Sequence, residues 1–196
     1  TSVTIVAAKV TLTETSPGSP WALARGEEGD KHLLLCYNVI GDSMATLIKT
    51  VRCKLQVGQE EASILLETMS RFASACQDIR EVALEHKTTN KVKLQHLCYQ
   101  EIKTRYGLQA NLVIRAIARV AEAMKRKPRK VRRFRPVSIS LDQRTFRWIP
   151  GKESVSVSTH VGRLVLPVQI GNYQRHVLGG QNPSSAAPGY SLVWSK

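Results

Sequence analysis

The sequence predicts an α+β fold, a small β-barrel with a three-helix domain inserted after its first strand. Three observations support this prediction. A stretch of alternating apolar and polar residues ends at Gly58, three amphipathic stretches follow up to Pro128, and alternating stretches then return. Alternation with a period of two is typical of a half-buried strand, whereas apolar residues three or four positions apart are typical of a helix. The helices therefore form an insert within the order of strands.

The first barrel strand is assigned to residues 44–57. Val51, Cys53 and Leu55 alternate with polar or charged residues, and Gly58 interrupts the pattern. Such alternation places the apolar side chains on one face of a sheet. We expect the strand to end at this glycine and the helical insert to begin there.

The helical insert is assigned to residues 58–128. Its first helix runs to about His86, and the second lies between the capping residue Asn90 and Gly107, a residue suited to a left-handed helix end. The third helix ends at Pro128, which cannot continue a helix. Each helix carries one apolar stripe, so the three are expected to pack over a shared core.

The remaining barrel strands are assigned to residues 129–177, where short apolar segments alternate with serines and are separated by turn residues. Residues 178–196 follow as a loop and a final strand. Residues 1–43 show no sustained period and are predicted to be an irregular segment. Because Met44 stands at the start of the segment assigned to the first strand, we raise the hypothesis that residues 1–43 are upstream read-through and not native. Deleting them is then expected to leave the thermal melt unchanged.

The charge of the chain is concentrated in its centre. The formal net charge is +14, and residues 87–141 hold fifteen Lys or Arg but only two acids, Glu101 and Glu122. Between Lys125 and Arg135, eight of eleven residues are basic. Such a density of positive charge repels itself unless a polyanion lies against it, and nucleic acid is the abundant polyanion of matching charge density. A solvated basic linker is the alternative reading of this run.

The candidate contacts to nucleic acid are basic, amide or aromatic side chains on the second and third helices and on the basic run. Basic groups on these helices mostly avoid the apolar stripes and can bind phosphates, which position a partner without reading its sequence. An aromatic side chain within a basic run can stack on bases. The candidates are Lys91, Lys93, Gln95, Lys103, Arg105, Arg115, Arg119, Lys125, Arg126, Lys127, Arg129, Lys130, Arg132, Arg133, Phe134 and Arg135.

Catalytic and metal-binding patterns are not found in the sequence, so we do not expect this chain alone to be an enzyme. Residues 154–196 contain no acidic residue, and the five histidines lack metal-binding spacings. The four cysteines form no C-x-x-C pair, which argues against a zinc site and a disulfide framework, and Cys76 and Cys98 lie on apolar helix faces. No apolar run is long enough to span a membrane. A reduced, cytoplasmic location and no membrane partner are the expectations.

Seven segments of the chain together match one known family in sequence and in order. They are L-L-E-T-M-S-R-F-A-S-A-C (65–76), N-K-V-K-L-Q-H-L-C-Y-Q-E-I (90–102), R-Y-G-L-Q-A (105–110), R-A-I-A-R-V-A-E-A (115–123), R-R-F-R-P (132–136), V-S-V-S-T-H-V-G-R-L-V-L-P-V (155–168) and G-N-Y-Q (171–174). Through these segments, residues 47–173 resemble the N-terminal part of the transposon-encoded TnpB (OrfB) family, relatives of the type V CRISPR effectors.

The resemblance implies an oligonucleotide-binding-like barrel interrupted by a helical recognition domain, which together hold a guide RNA and a double-stranded DNA target. Base pairing then supplies most of the sequence specificity. In the family a RuvC-like nuclease domain with a divalent metal follows this region. The chain ends before that domain, so no cofactor is expected here and the chain resembles a truncated member. Val57-Gly58 replaces the usual Thr/Ser-Pro helix start, and residues 181–188 depart from the family pattern.

Two other functions remain open on the sequence alone. The second and third helices could act as a helix-turn-helix in a nuclease-free DNA-binding regulator. The chain could also be a basic structural or protein-interaction module without a nucleic-acid role. Binding of a defined duplex without RNA would favour the first, and a constant protein partner recovered after nuclease treatment would favour the second.

Overall fold

A computed structural model describes residues 2–12, 47–126, 133–149, 152–172 and 190–195. These residues form three α-helices and seven β-strands, in a mixed α+β arrangement as predicted. In chain order the elements are β1 (Ser2–Leu12), β2 (Leu47–Leu55), α1 (Gln59–Glu85), α2 (Lys91–Tyr106), α3 (Ala110–Arg126), β3 (Ser138–Leu141), β4 (Phe146–Ile149), β5 (Ser154–Ser158), β6 (Arg163–Gln169) and β7 (Tyr190–Ser195).

The seven strands form one antiparallel sheet with the order β3-β7-β1-β2-β6-β5-β4. Strands β3 and β4 are therefore at opposite edges, although only residues 142–145 separate them. Flat strands spaced about 4.8 Å apart would put these edges roughly 29 Å apart. The connection from Leu141 to Phe146 reaches at most about 18 Å. The sheet must therefore curl so that its edges approach each other.

The curled sheet does not close into a barrel, because β3 and β4 are not paired among the described strands. The predicted α+β class is confirmed, whereas the barrel stays a prediction, because the described strands show no closed barrel. Alternation along single strands defines which face is buried, whereas closure depends on how many strands pair and with what stagger. The short connection after Leu141 brings the edges near each other without joining them.

Residues 2–12 differ from the sequence-based prediction. They form the interior strand β1, which pairs with β2 over nine positions and with β7 over six. The prediction of an irregular segment is wrong here because β1 lacks simple alternation, although six of its eleven residues are Val, Ile or Thr, which favour strands. The strand before the helices is therefore the second strand along the chain and not the first. Residues 13–43 lie outside the described residues.

The three helices are close to their predicted bounds, and three of their ends have a local signal. At the start of α1 the Glu61 carboxylate accepts a hydrogen bond from the Gly58 backbone N–H at 2.7 Å. At the start of α2 the Asn90 side chain accepts from the N–H groups of Val92 and Lys93. Gly107 ends α2 in the left-handed region, with φ of 59°. These contacts satisfy backbone groups that have no partner within the helix.

One hydrophobic cluster joins the helices to the sheet. It includes Leu65 and Phe72 of α1, Val120 of α3, and Ile139 and Phe146 of the sheet. Cys53, Cys76 and Cys98 are also buried in this cluster. The sequence predicts this burial for Cys76 and Cys98. Burial raises the pKa of Cys53 and Cys98 to about 11 and that of Cys76 to about 12. The helical insert thus packs against the strands.

A polar contact on α1 holds the insert to the turn between β5 and β6. The Thr68 hydroxyl donates to the Ile64 carbonyl at 2.7 Å and lies 2.9 Å from Nδ1 of His160. On the other side of the ring, His160 Nε2 lies 3.4 Å from a Glu67 carboxylate oxygen. A hydrogen bond from Arg71 holds the pKa of the Glu67 carboxyl below its usual value. This contact involves α1, whereas the basic residues discussed below lie on α2, on α3 and in the segment before β3.

Candidate nucleic-acid interface

One face of α3 carries three of the predicted arginines. Arg115, Arg119 and Arg126 are four and seven residues apart, which places them within about 40° of one another around the helix axis. Arg126 is exposed, while Arg115 and Arg119 are half-buried. The Nε atom of Arg115 is buried without a hydrogen-bond partner among the described residues. Lys125 is exposed but points about 80° or more away from this face.

Arg119 is held in place by the sheet and by two aromatic rings. Its guanidinium donates to the Ser138 carbonyl at 2.8 Å and to the Ser138 hydroxyl at 3.0 Å. The same group lies 5.8 Å from the ring centre of Phe72 and 6.0 Å from that of Phe134. Both distances are within the range of cation–π attraction. Arg119 is therefore an internal connection between α3, α1 and β3 rather than a freely projecting cation.

The segment leading into β3 places two further arginines and an aromatic side chain next to Arg119. Arg133 and Arg135 are exposed, and Phe134 is half-buried against the core. Together with Arg119 and Val137 they line an open cavity of about 360 Å³. The described residues that line it include three guanidinium groups and no carboxylate. The structure thus brings four of the predicted residues to one place.

The predicted residues on α2 do not form a single stripe. Lys91 and Gln95 are four residues apart and share a side of the helix, whereas Lys93 is about 200° from Lys91 around the axis. Lys103 lies about 120° from Lys91 by the same geometry. All four side chains are exposed. A flat polyanion could contact Lys91 and Gln95 together, but Lys93 would face a different direction.

Arg105 is engaged in ion pairs, so its charge is partly offset. Its guanidinium lies 2.9 Å from an Asp78 oxygen and 3.8 Å from a Glu101 oxygen. The Tyr106 hydroxyl donates to the same Asp78 oxygen at 2.6 Å. Burial, and then the hydrogen bond to Asp78, raises the pKa of Tyr106 to about 12. These contacts join the end of α2 to α1, so Arg105 has a structural role.

Four of the predicted residues lie outside the described residues: Lys127, Arg129, Lys130 and Arg132. Of the two aromatic residues of β4, Phe146 is 1% exposed and belongs to the core, while Trp148 is half-buried. Sequence reasoning missed Val137 as a wall of the cavity and Ser138 as the anchor of Arg119. No local signal could reveal the anchor, because the two residues are nineteen positions apart and meet only after α3 packs on the sheet.

No group of three His, Cys, Asp or Glu side chains suited to a metal ion occurs within the ranges that the structure describes. Within those same ranges, no helix combines the length and the apolar character needed to cross a membrane. Comparison with known proteins adds no assignment, because the chain matches no protein-family model, no curated protein and no solved structure.

Proposed function

We propose that this chain binds nucleic acid as the oligonucleotide-binding-like and helical recognition part of a TnpB-like RNA-guided endonuclease. Its partners in this proposal are a guide RNA and double-stranded target DNA. The observation that carries the proposal is the open cavity at the junction of α3 and β3, which is lined by Arg119, Arg133, Phe134, Arg135 and Val137. A cavity with three guanidinium groups and no carboxylate among its described lining favours an anion. The flanking aromatic ring favours an anion that carries bases.

Phosphate binding would come from the exposed basic residues. Among the described residues, no salt bridge involves Lys91, Lys125, Arg126, Arg133 or Arg135. Lys or Arg side chains that neutralise phosphates release condensed counterions, which gives affinity without sequence readout. Specificity in the proposed complex comes from base pairing between guide and target, as in other RNA-guided systems. The proposal that the partners are a guide RNA and its DNA target is supported by the sequence resemblance over residues 47–173.

The proposal is tested by measuring the affinity of labelled RNA and DNA by fluorescence anisotropy at increasing salt. If about five phosphates are neutralised, the slope of log K against log salt is about −4 to −5. Changing both Arg133 and Arg135 to alanine should lower the magnitude of the slope by about 2. The matched control changes Arg147 and Lys152 to alanine, because both are exposed and neither lines the cavity.

Two outcomes of this experiment would overturn the proposal. One is a shallow salt slope for every RNA and DNA tested. The other is unchanged binding after Arg129, Lys130, Arg132 and Arg133 are all replaced by alanine. The guide-dependent part is tested separately, by asking whether a complementary RNA is required before the chain retains a DNA duplex. Retention of the duplex regardless of RNA would refute that part and leave nucleic-acid binding intact.

A second candidate function, a helix-turn-helix regulator, is favoured by one observation. Helices α2 and α3 are joined by three residues, and the first of these, Gly107, adopts a left-handed conformation. Short helix–helix turns that contain glycine are typical of this motif. Tight binding of one defined duplex without RNA, with loss of affinity for single base changes, would support this function over the first.

A further inference from the structure

We propose that the cavity beside Phe134 holds a single unpaired nucleotide, with its base against the aromatic ring and its phosphate on Arg133 and Arg135. This inference deepens the proposed nucleic-acid binding and rests on it. It adds a preference for an unpaired base at one defined place in the chain.

The composition of the cavity wall supports a nucleotide over a bare phosphate. Two of the five lining residues, Phe134 and Val137, are apolar, and Val137 is 49% exposed. A phosphate ion would leave this apolar surface in water. A base is flat and apolar on its faces, and aromatic side chains and guanidinium planes are the surfaces on which unpaired bases stack. The wall therefore matches both halves of a nucleotide.

The size of the cavity supports one nucleotide rather than a duplex. Its volume of about 360 Å³ is near the lower end for small-ligand pockets, which are roughly 300 to 1,000 Å³. Bases within a duplex are stacked on their neighbours and present only their edges, so they cannot lie flat against a protein ring unless they are unpaired or flipped out. The occupant is therefore expected to come from a single strand or from a displaced base.

The Arg119 side chain forms a fixed part of the cavity lining for this occupant. Both hydrogen bonds to Ser138 and the contacts with Phe72 and Phe134 hold its guanidinium in one position. Arg133 and Arg135 are exposed, and no salt bridge among the described residues engages them. The site thus combines a preorganised stacking surface with two cations that are available for phosphate.

The inference is tested with three labelled ligands of equal length: single-stranded oligo-dT, the same backbone without bases, and a DNA duplex. Phe134→Leu should weaken oligo-dT binding by roughly 5- to 150-fold, the range that stacking of one base on an aromatic side chain supports. Affinity for the abasic strand and the duplex should not change. The matched control is Trp148→Leu, a half-buried aromatic residue outside the cavity lining, which should leave all three affinities unchanged.

Equal weakening of oligo-dT and abasic binding by Phe134→Leu, or no weakening of either, would overturn the inference. If the wild-type chain shows no steep salt dependence in its binding to any of the three ligands, the proposed function itself would be overturned. A second measurement needs no variant. Oligo-dT carrying 5-iodouracil should photo-crosslink to the peptide that contains Phe134 in the wild-type chain. Adducts found only on other peptides would contradict a base at this site, even if Phe134→Leu failed to fold.

Discussion

Replacing Arg119 by methionine should destabilise the fold, because this side chain joins three elements. The substitution keeps an unbranched apolar stem and removes the guanidinium. It deletes two hydrogen bonds to Ser138, of 2.8 and 3.0 Å, and the contacts with the rings of Phe72 and Phe134. A hydrogen bond to a charged group contributes about 1.5–3 kcal/mol, and a cation–π contact about 0.5–2 kcal/mol.

The expected loss is smaller than the sum of these contributions. Arg119 is half-buried, so water replaces part of what is removed, and contacts that share one group are not additive. We expect the free energy of unfolding to fall by about 2–4 kcal/mol. Arg119→Lys should recover little of this, because an ammonium group cannot reproduce the planar fork that reaches both Ser138 oxygens.

The assay is urea unfolding followed by circular dichroism at 222 nm, with free energies from linear extrapolation. The matched control is Arg126→Met, on the same face of α3 but exposed, which should change stability by no more than about 0.5 kcal/mol. A loss below about 1 kcal/mol for Arg119→Met, or a loss equal to that of the control, would refute the internal role of Arg119. Ser138→Ala should cost about 0.5–1.5 kcal/mol alone, and much less once Arg119 is already changed.

Three further predictions concern the sheet, a helix cap and the buried thiols. Deleting residues 1–43 removes the interior strand β1, so the thermal melt should lose its cooperative transition; an unchanged melt would contradict the pairing of β1 with β2 and β7. Asn90→Ala should cost about 1 kcal/mol in urea unfolding, because two N–H groups lose their acceptor, whereas Asn90→Asp should cost little. Because burial raises the pKa of Cys53 and Cys98 to about 11 and of Cys76 to about 12, the unfolded chain loses these thiol protons first, from about pH 8.5 upward. The free energy of unfolding should therefore be retained below that pH and fall as the pH rises towards 11. The fall should be smaller in Cys76→Ala than in the wild-type chain. Equal slopes of urea midpoint against pH in the two chains would contradict this.

Much of the secondary structure could be predicted from residues close together in the chain. Asn90 and Gly107 delimit α2 within one turn, and the alternation after residue 137 locates the short strands. The strand β1 was missed because its apolar run lacks a clear period. Its place between β7 and β2 depends on pairings with residues 190–195 and 47–55, which no local pattern contains.

The candidate interface was predicted in part. The basic and aromatic composition of residues 125–135 indicated a polyanion, and Arg133, Phe134 and Arg135 do line one cavity with Arg119. The prediction treated Arg119 and Arg105 as free cations, yet both are engaged, one by Ser138 and the other by Asp78. Partners nineteen and twenty-seven residues away cannot be read from spacing along a helix.

The amino-acid sequence by itself determined the order of helices and strands after residue 46, the approximate helix ends and the central concentration of positive charge, because these depend on neighbours within a few residues. Only the tertiary structure decided which cations remain available and which connect one element to another. The physical reason is that a guanidinium binds whichever oxygen or ring the packing brings within reach, and packing joins residues that are far apart in the chain.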